Sequence, residues 1–123
     1  YSQVITIDGK ATSHKEQHDK DAQFEDYQDV IYDLNKVVEL NPNFGFAYYN
    51  RGNVKCMTKD FTGAIDDYTK AIEVGPALPQ AYYNRGLTLI YLQDDEKGCL
   101  DMSKAGELGL EDAYPVIKKY CTE

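Results

Sequence analysis

The sequence predicts an all-α fold built from antiparallel helix pairs, and three observations support this prediction. A block of sequence repeats along the chain at a constant offset, apolar residues recur at helical spacing within each block, and proline or glycine follows the predicted helices. Repeats of about 20 to 50 residues are typical of stacked arrays, in which each unit buries its apolar face against its neighbours. We therefore expect an array of helix pairs.

One hexapeptide occurs twice in the sequence and defines the repeat. Ala-Tyr-Tyr-Asn-Arg-Gly occurs at residues 47–52 and again at 81–86, and this offset of 34 is the repeat length. The blocks 44–77 and 78–111 share 12 identical positions, where chance would give about two. One block earlier, only the second half matches. The second helix of a preceding unit is therefore expected, while the first helix of that unit is absent or replaced.

The first predicted helix ends near Leu40. Its apolar residues step by three and four positions, which places them on one side of a helix. Asn41-Pro42-Asn43 ends the helix, because proline lacks the amide proton that a continuing helix needs. The apolar stripe consists of Phe24, Tyr27, Val30, Ile31, Leu34, Val37 and Val38.

Two complete helix pairs and a final short helix follow. The predicted ranges are 45–58 and 61–74 for the first pair, and 79–92 and 95–107 for the second. Asp60 and Asp94 precede the second helix of each pair, where a carboxylate can accept hydrogen bonds from the first backbone amides. Asp112 is the expected cap of the last helix, and Pro115 lies in its first turn, where proline is tolerated.

The net charge argues against two classes of partner. The net charge of −8 disfavours nucleic acid, because phosphate contacts need clustered Lys and Arg, and it equally disfavours anionic membranes. No apolar run is long enough for membrane insertion. The acidic excess is densest before residue 34, where we expect a solvated helix face or, alternatively, a docking surface for a basic partner. Its members are Asp19, Asp21, Glu25, Asp26, Asp29 and Asp33.

Three widely spaced cysteines do not form a metal or redox motif. Cys56, Cys99 and Cys121 include no Cys-x-x-Cys pair, and we expect buried, reduced thiols. Reduced thiols favour a cytoplasmic location, with the periplasm as the alternative if the chain is part of a longer secreted protein. No cofactor is expected.

The N-terminal segment 1–20 is treated as an extension without an assigned structure. His14 and His18 would share one side of a helix, but Lys15 stands where a zinc-protease motif has glutamate, so no metal site is predicted. Residues 4–7 are rich in β-branched side chains and give a strand signal that ends at Asp8-Gly9. This strand could belong to an upstream domain, cover the incomplete first unit, or pair with a second copy.

These residues and the period resemble the tetratricopeptide repeat family. Tyr48 and Tyr82 occupy the tryptophan position of its signature, and Gly52 and Gly86 occupy the glycine position. The motif Tyr-Tyr-Asn-Arg-Gly is similar to that of bacterial members. The resemblance implies a right-handed superhelical array with a C-terminal capping helix. The expected units are a partial unit 21–43, a repeat 44–77, a repeat 78–110 and a capping helix 111–121, within a domain of residues 21–123.

The resemblance also implies a binding surface, because such arrays use a concave face lined by the first helix of each pair. Tyrosine and amide side chains can hold a peptide, unless they serve only to pack the helices together. The Lys and Arg residues with which related modules grip a terminal carboxylate are missing, so binding of chaperone tails is not expected. The predicted partner-binding residues are Tyr49, Asn50, Asn53, Met57, Tyr83, Asn84, Leu87 and Tyr91.

A second set of residues is predicted to be structural. Arg51 and Arg85 each precede an aspartate by sixteen residues, and we expect each guanidinium to pair with a carboxylate between helices. Small residues at the glycine positions would let the paired helices approach closely. The predicted structural residues are Arg51, Arg85, Asp33, Asp67, Asp101, Gly52 and Gly86.

No nucleophile–base pair, phosphate loop or catalytic carboxylate pair is recognisable, so the chain is not expected to be an enzyme. We expect a non-catalytic module that binds a peptide or protein segment on its concave face. The alternative is an accessory domain of a longer protein, or a domain that forms a homodimer, since the first helix must cover its apolar stripe.

Overall fold

The computed structural model describes the backbone of residues 14–122 and the side chains of residues 22–122, and its elements within that part of the chain are six α-helices. The predicted strand at residues 4–7 lies outside the described residues, as do the side chains of His14 and His18. The helices are α1 (His14–Leu40), α2 (Gly45–Met57), α3 (Phe61–Val74), α4 (Pro79–Tyr91), α5 (Asp95–Glu107) and α6 (Ala113–Tyr120). The predicted all-α class is confirmed.

The helices pack as consecutive antiparallel neighbours. The pairs α2–α3 and α4–α5 make the most extensive contacts, α1 packs on α2, α3 packs on α4, and α6 covers the end of α5. Two apolar clusters result, one between α2 and α3 around Tyr68 and one between α4, α5 and α6 around Met102. The core therefore runs along the array as separate layers, as expected for stacked repeats.

The loops inside the two pairs also repeat. Asp60 and Asp94 accept hydrogen bonds from the Gly63 and Lys97 amides, which caps α3 and α5. Lys59 and Gln93, which are one repeat length apart, both have φ of 67°. Asp112 precedes α6, but its side chain makes no capping hydrogen bond, so that detail of the sequence prediction is wrong.

Glycine permits the closest contact between α4 and α5. A methyl group on Gly98 would lie 2.8 Å from the Gly86 carbonyl oxygen, and one on Gly86 would lie 2.9 Å from the Gly98 carbonyl oxygen. In the first pair, a methyl group on Gly52 would meet the Tyr68 ring at 2.8 Å. Larger residues at these positions would push the paired helices apart.

The cysteine prediction is corrected by a disulfide bond. Cys99 in α5 and Cys121 after α6 are joined, with their Cα atoms 5.7 Å apart, while Cys56 is free and buried. Because the chain turns back between α5 and α6, residues 22 positions apart in sequence become neighbours. The bond fastens the capping helix to the array, and it removes the argument from reduced thiols for a reducing compartment.

The first helix extends into the N-terminal segment 1–20. It begins at His14, although residues 1–20 were expected to lie before the domain. At about 1.5 Å per residue, its 27 residues extend roughly 40 Å, twice the length of α2. The division of the chain into an extension and a domain stays a prediction. Among residues 14–122, no helix combines the length and apolar character that a membrane span requires.

Candidate functional site

Each arginine of the repeated motif forms a bidentate ion pair with an aspartate on the second helix of the same unit. The Arg51 Nε and Nη2 atoms donate to the two Asp67 oxygens at 2.8 and 2.6 Å, and Arg85 donates to Asp101 at 2.8 Å through both atoms. The hydrogen bond to the carboxylate raises the pKa of each arginine further above its ordinary value. Parallel bonds of this kind fix both the distance and the orientation of the two helices.

The remaining guanidinium nitrogen reaches the preceding unit. Nη1 of Arg51 donates to Asn35 of α1 at 2.9 Å, and Nη1 of Arg85 donates to Thr69 of α3 at 3.1 Å. Asn35 and Thr69 are themselves one repeat length apart, so the whole arrangement repeats. Each arginine therefore connects three helices and holds one unit on the next.

The third predicted aspartate, Asp33, does not form the same ion pair within residues 22–122. Asp33 occupies the repeat position of Asp67 and Asp101, but it is exposed on α1. No ion pair involves Asp33 within residues 22–122, and both arginines are bound to the other two aspartates.

Most of the predicted partner-binding residues are not on the surface. Asn50 and Met57 are partly exposed, and Tyr91 is 45% exposed. The expectation of exposure is wrong for the other five, each of which is 7% exposed or less. These five are Tyr49, Asn53, Tyr83, Asn84 and Leu87.

A buried hydrogen-bond network explains why the amide side chains turn inward. The Asn53 Oδ1 atom accepts from the Tyr68 hydroxyl at 2.6 Å and from Asn84 Nδ2 at 2.9 Å. Asn84 Nδ2 also lies 3.4 Å from the Tyr49 hydroxyl oxygen. The amides therefore tie α2, α3 and α4 together, and burial of polar groups is tolerated because they are hydrogen-bonded. For these residues, the packing interpretation fits better than direct contact with a ligand.

The same network surrounds the free thiol. The Cys56 Sγ atom lies 3.6 Å from the Tyr68 hydroxyl oxygen and 3.7 Å from Thr88 Oγ1. Burial raises the pKa of the Cys56 thiol and that of the Tyr68 phenol, because both charged forms would lose their hydration. A neutral, enclosed thiol of this kind is a poor nucleophile, and no catalytic role is assigned to it.

Exposed aromatic side chains lie at both ends of the face formed by the first helices α2 and α4, which we call the inner face. Phe46, near the start of α2, is 45% exposed, and its ring lies 6.1 Å from that of Phe44. At the other end, the Tyr91 ring packs 4.8 Å from that of Phe61. The sequence prediction missed Phe46 and Phe61, although Phe46 precedes Tyr49 by three residues and thus shares its side of α2.

The side of the array opposite the inner face contains a groove. A groove of about 360 Å³ runs between α3 and α5 over α4, with Ile65, Leu89 and Leu100 as its apolar wall. Its floor contains the Arg85–Asp101 pair, which is already satisfied. Among the residues that the structure describes, no group of three or more His, Cys, Asp or Glu side chains could hold a metal ion.

Comparisons with known proteins agree with this architecture. Residues 56–90 match the family model described as TPR repeat, the abbreviation for tetratricopeptide repeat. A solved structure, "MamA RS-1 ArsTM double mutant", is similar with a TM-score of 0.62 and 33% sequence identity. The similarity covers 72% of this chain and 49% of that one, so the chain spans about half the length of this relative. No curated protein matches the chain.

Proposed function

We propose that this tetratricopeptide-like array is a non-catalytic protein-interaction module that holds a short, uncharged segment of a partner protein on its inner face. The observation that carries the proposal is the pair of exposed aromatic anchors, Phe46 and Tyr91. Aromatic side chains supply large contact area at a small cost in conformational entropy, which makes them frequent anchors of protein interfaces.

The spacing of the two anchors suggests the size of the ligand. Met57 occupies the same repeat position in α2 as Tyr91 in α4, and it lies eleven residues after Phe46. The anchors are therefore separated by roughly 16 Å along the helix direction. An extended peptide advances about 3.3 Å per residue, so at least five residues would connect the two anchors, which also lie on different helices.

The chemistry between the anchors suggests the character of the ligand. Asn50 is partly exposed midway along α2, where its amide can bond to a peptide backbone. Phe46, Asn50, Met57 and Tyr91 carry no charge, and both arginines of the chain are bound to aspartates. We therefore propose that the ligand is an apolar or neutral peptide segment. Two helix pairs offer a small interface, so we expect modest affinity.

Selection of peptides tests the proposal. A random 12-residue peptide library displayed on phage would be selected against the intact protein. We expect peptides with two apolar residues at least five positions apart. We expect the double variant Phe46→Ser, Tyr91→Ser to weaken their binding at least 10-fold in fluorescence anisotropy.

The matched control is Leu100→Ser, which removes a 69%-exposed apolar side chain from the opposite groove. All three side chains are at least 45% exposed, so each variant should stay folded, and thermal unfolding of each variant checks this. If the selected peptides bind the Phe46, Tyr91 variant as tightly as the unmodified protein, the inner face is not the binding surface.

A further inference from the structure

Among the residues that the structure describes, none covers the face of α1 against which a first helix would pack. Counting back one repeat length from Ala64, Tyr68 and Ala71 of α3 gives Val30, Leu34 and Val37 of α1. The three α3 residues are 0% exposed and belong to the cluster formed with α2. Their α1 counterparts are different: Val37 is 36% exposed, and Val30 and Leu34 are only partly buried. Within the described part of the chain, α1 thus has the surface of a second helix without its partner helix.

The repeated ion pair gives an independent sign of a missing partner. In the two complete units, Asp67 and Asp101 each bind an arginine from the first helix of the same pair. Asp33 has the same repeat position and borders the open face, but it forms no ion pair among residues 22–122. Asp67 also binds Lys55, but arginine is the cation found at this position in both complete units, so the helix that completed the first unit would be expected to supply an arginine.

From these two observations we infer that the open face of α1, defined by Val30, Asp33, Leu34 and Val37, docks an arginine-bearing amphipathic helix from another polypeptide. The helix runs antiparallel to α1, as α2 runs against α3, and places its arginine on Asp33. A small residue follows the arginine, because a methyl group on Gly52, the residue after Arg51, would meet the Tyr68 ring of the paired helix at 2.8 Å. This surface is separate from the proposed inner-face site.

Electrostatics favours this occupant over a second copy of the chain. The chain has two arginines, and both are already held by Asp67 and Asp101. Two copies of α1 related by a two-fold axis would also bring the same side of each helix together. Asp26 and Asp33 of both copies would then lie in one interface, and the repulsion between these like charges disfavours it.

A synthetic helix tests the inference. The probe is a blocked 13-residue peptide with the sequence of α2 (Gly45–Met57), which occupies the equivalent place against α3, with serine in place of its cysteine. Titrated into ¹⁵N-labelled protein, it should shift amide signals around Val30, Leu34 and Val37. A second peptide with citrulline instead of arginine should bind about 10-fold more weakly, because it loses the charge that pairs with Asp33.

Two protein variants locate the charge. In Asp33→Asn, the peptides with arginine and citrulline should bind equally. Glu25→Gln is the control, because Glu25 precedes Leu34 by nine residues and so lies two and a half turns away, on the opposite side of α1; it should retain the tenfold difference.

Three results would overturn the inference. The first is that the peptide shifts no amide signals in α1, or shifts mainly those of α3. The second is that Asp33→Asn and Glu25→Gln weaken binding of the arginine peptide equally. The third is movement of the α1 signals with protein concentration when no peptide is present, which would identify a second copy as the occupant.

Discussion

Replacing Asp101 with asparagine is expected to lower the free energy of unfolding by about 3 kcal/mol. The substitution keeps the size of the side chain but removes the charge that faces Arg85 Nε and Nη2. Both side chains are largely enclosed, with exposed fractions of 20% and 9%, so the guanidinium would be left without its counter-charge away from bulk water. Urea unfolding followed by circular dichroism measures the change.

Asp33→Asn is the matched control, because it makes the same chemical change at the same repeat position where no arginine is bound. Its effect should stay within about 0.5 kcal/mol, as for other surface substitutions. Replacing both Arg85 and Asp101 with leucine should recover much of the loss, since an apolar pair leaves no buried charge behind. Equal stability of Asp101→Asn and the unmodified protein would show that the pair does not hold the units together.

Removing the disulfide is expected to have an effect of similar size. Closing a loop of 22 residues between Cys99 and Cys121 restricts the unfolded chain, which corresponds to about 3 kcal/mol in the loop-entropy description. The variant Cys99→Ser with Cys121→Ser should therefore unfold at lower urea concentration. We expect α6 to be affected first, because this short helix packs mainly on α5.

A thiol titration provides the check on the bond itself. Of the three cysteines, Cys56 alone should react with a thiol reagent in denaturant without reductant, and it should react slowly in the folded protein because its thiol is buried with a raised pKa. Reductant should destabilise the unmodified protein but leave the double-serine variant unchanged. Three reactive thiols in denaturant would contradict the disulfide.

The sequence predicted the helical array well because the repeat makes its local signals redundant. The same hexapeptide, with its glycine, and the same aspartate caps occur one repeat length apart, so each helix of the two complete pairs is indicated twice. The Arg–Asp spacing of sixteen residues was also readable, since it recurs in both units. The incomplete first unit was visible as the half block without a matching front half.

Side-chain burial on the inner face could not be read from the repeat. Whether Asn53 and Asn84 face solvent depends on how closely α2 and α4 approach, and that distance is set by packing between units. Spacing within one helix does not contain this information. The disulfide was missed for a related reason: the turn between α5 and α6 brings Cys99 to Cys121, and no sequence rule fixes which cysteines meet.

The central claim is that Arg51 and Arg85 occupy equivalent places in the two helix pairs. The most direct test of this claim is a ¹⁵N spectrum of the arginine side chains. The chain has two arginines, so the Nε–H region contains two signals. We expect both to exchange slowly with solvent; Asp67→Asn should move the Arg51 signal, Asp101→Asn should move the Arg85 signal, and Asp33→Asn should move neither. A guanidinium that exchanges as fast as free arginine, or one that responds to Asp33→Asn, would contradict the equivalence of the two helix pairs.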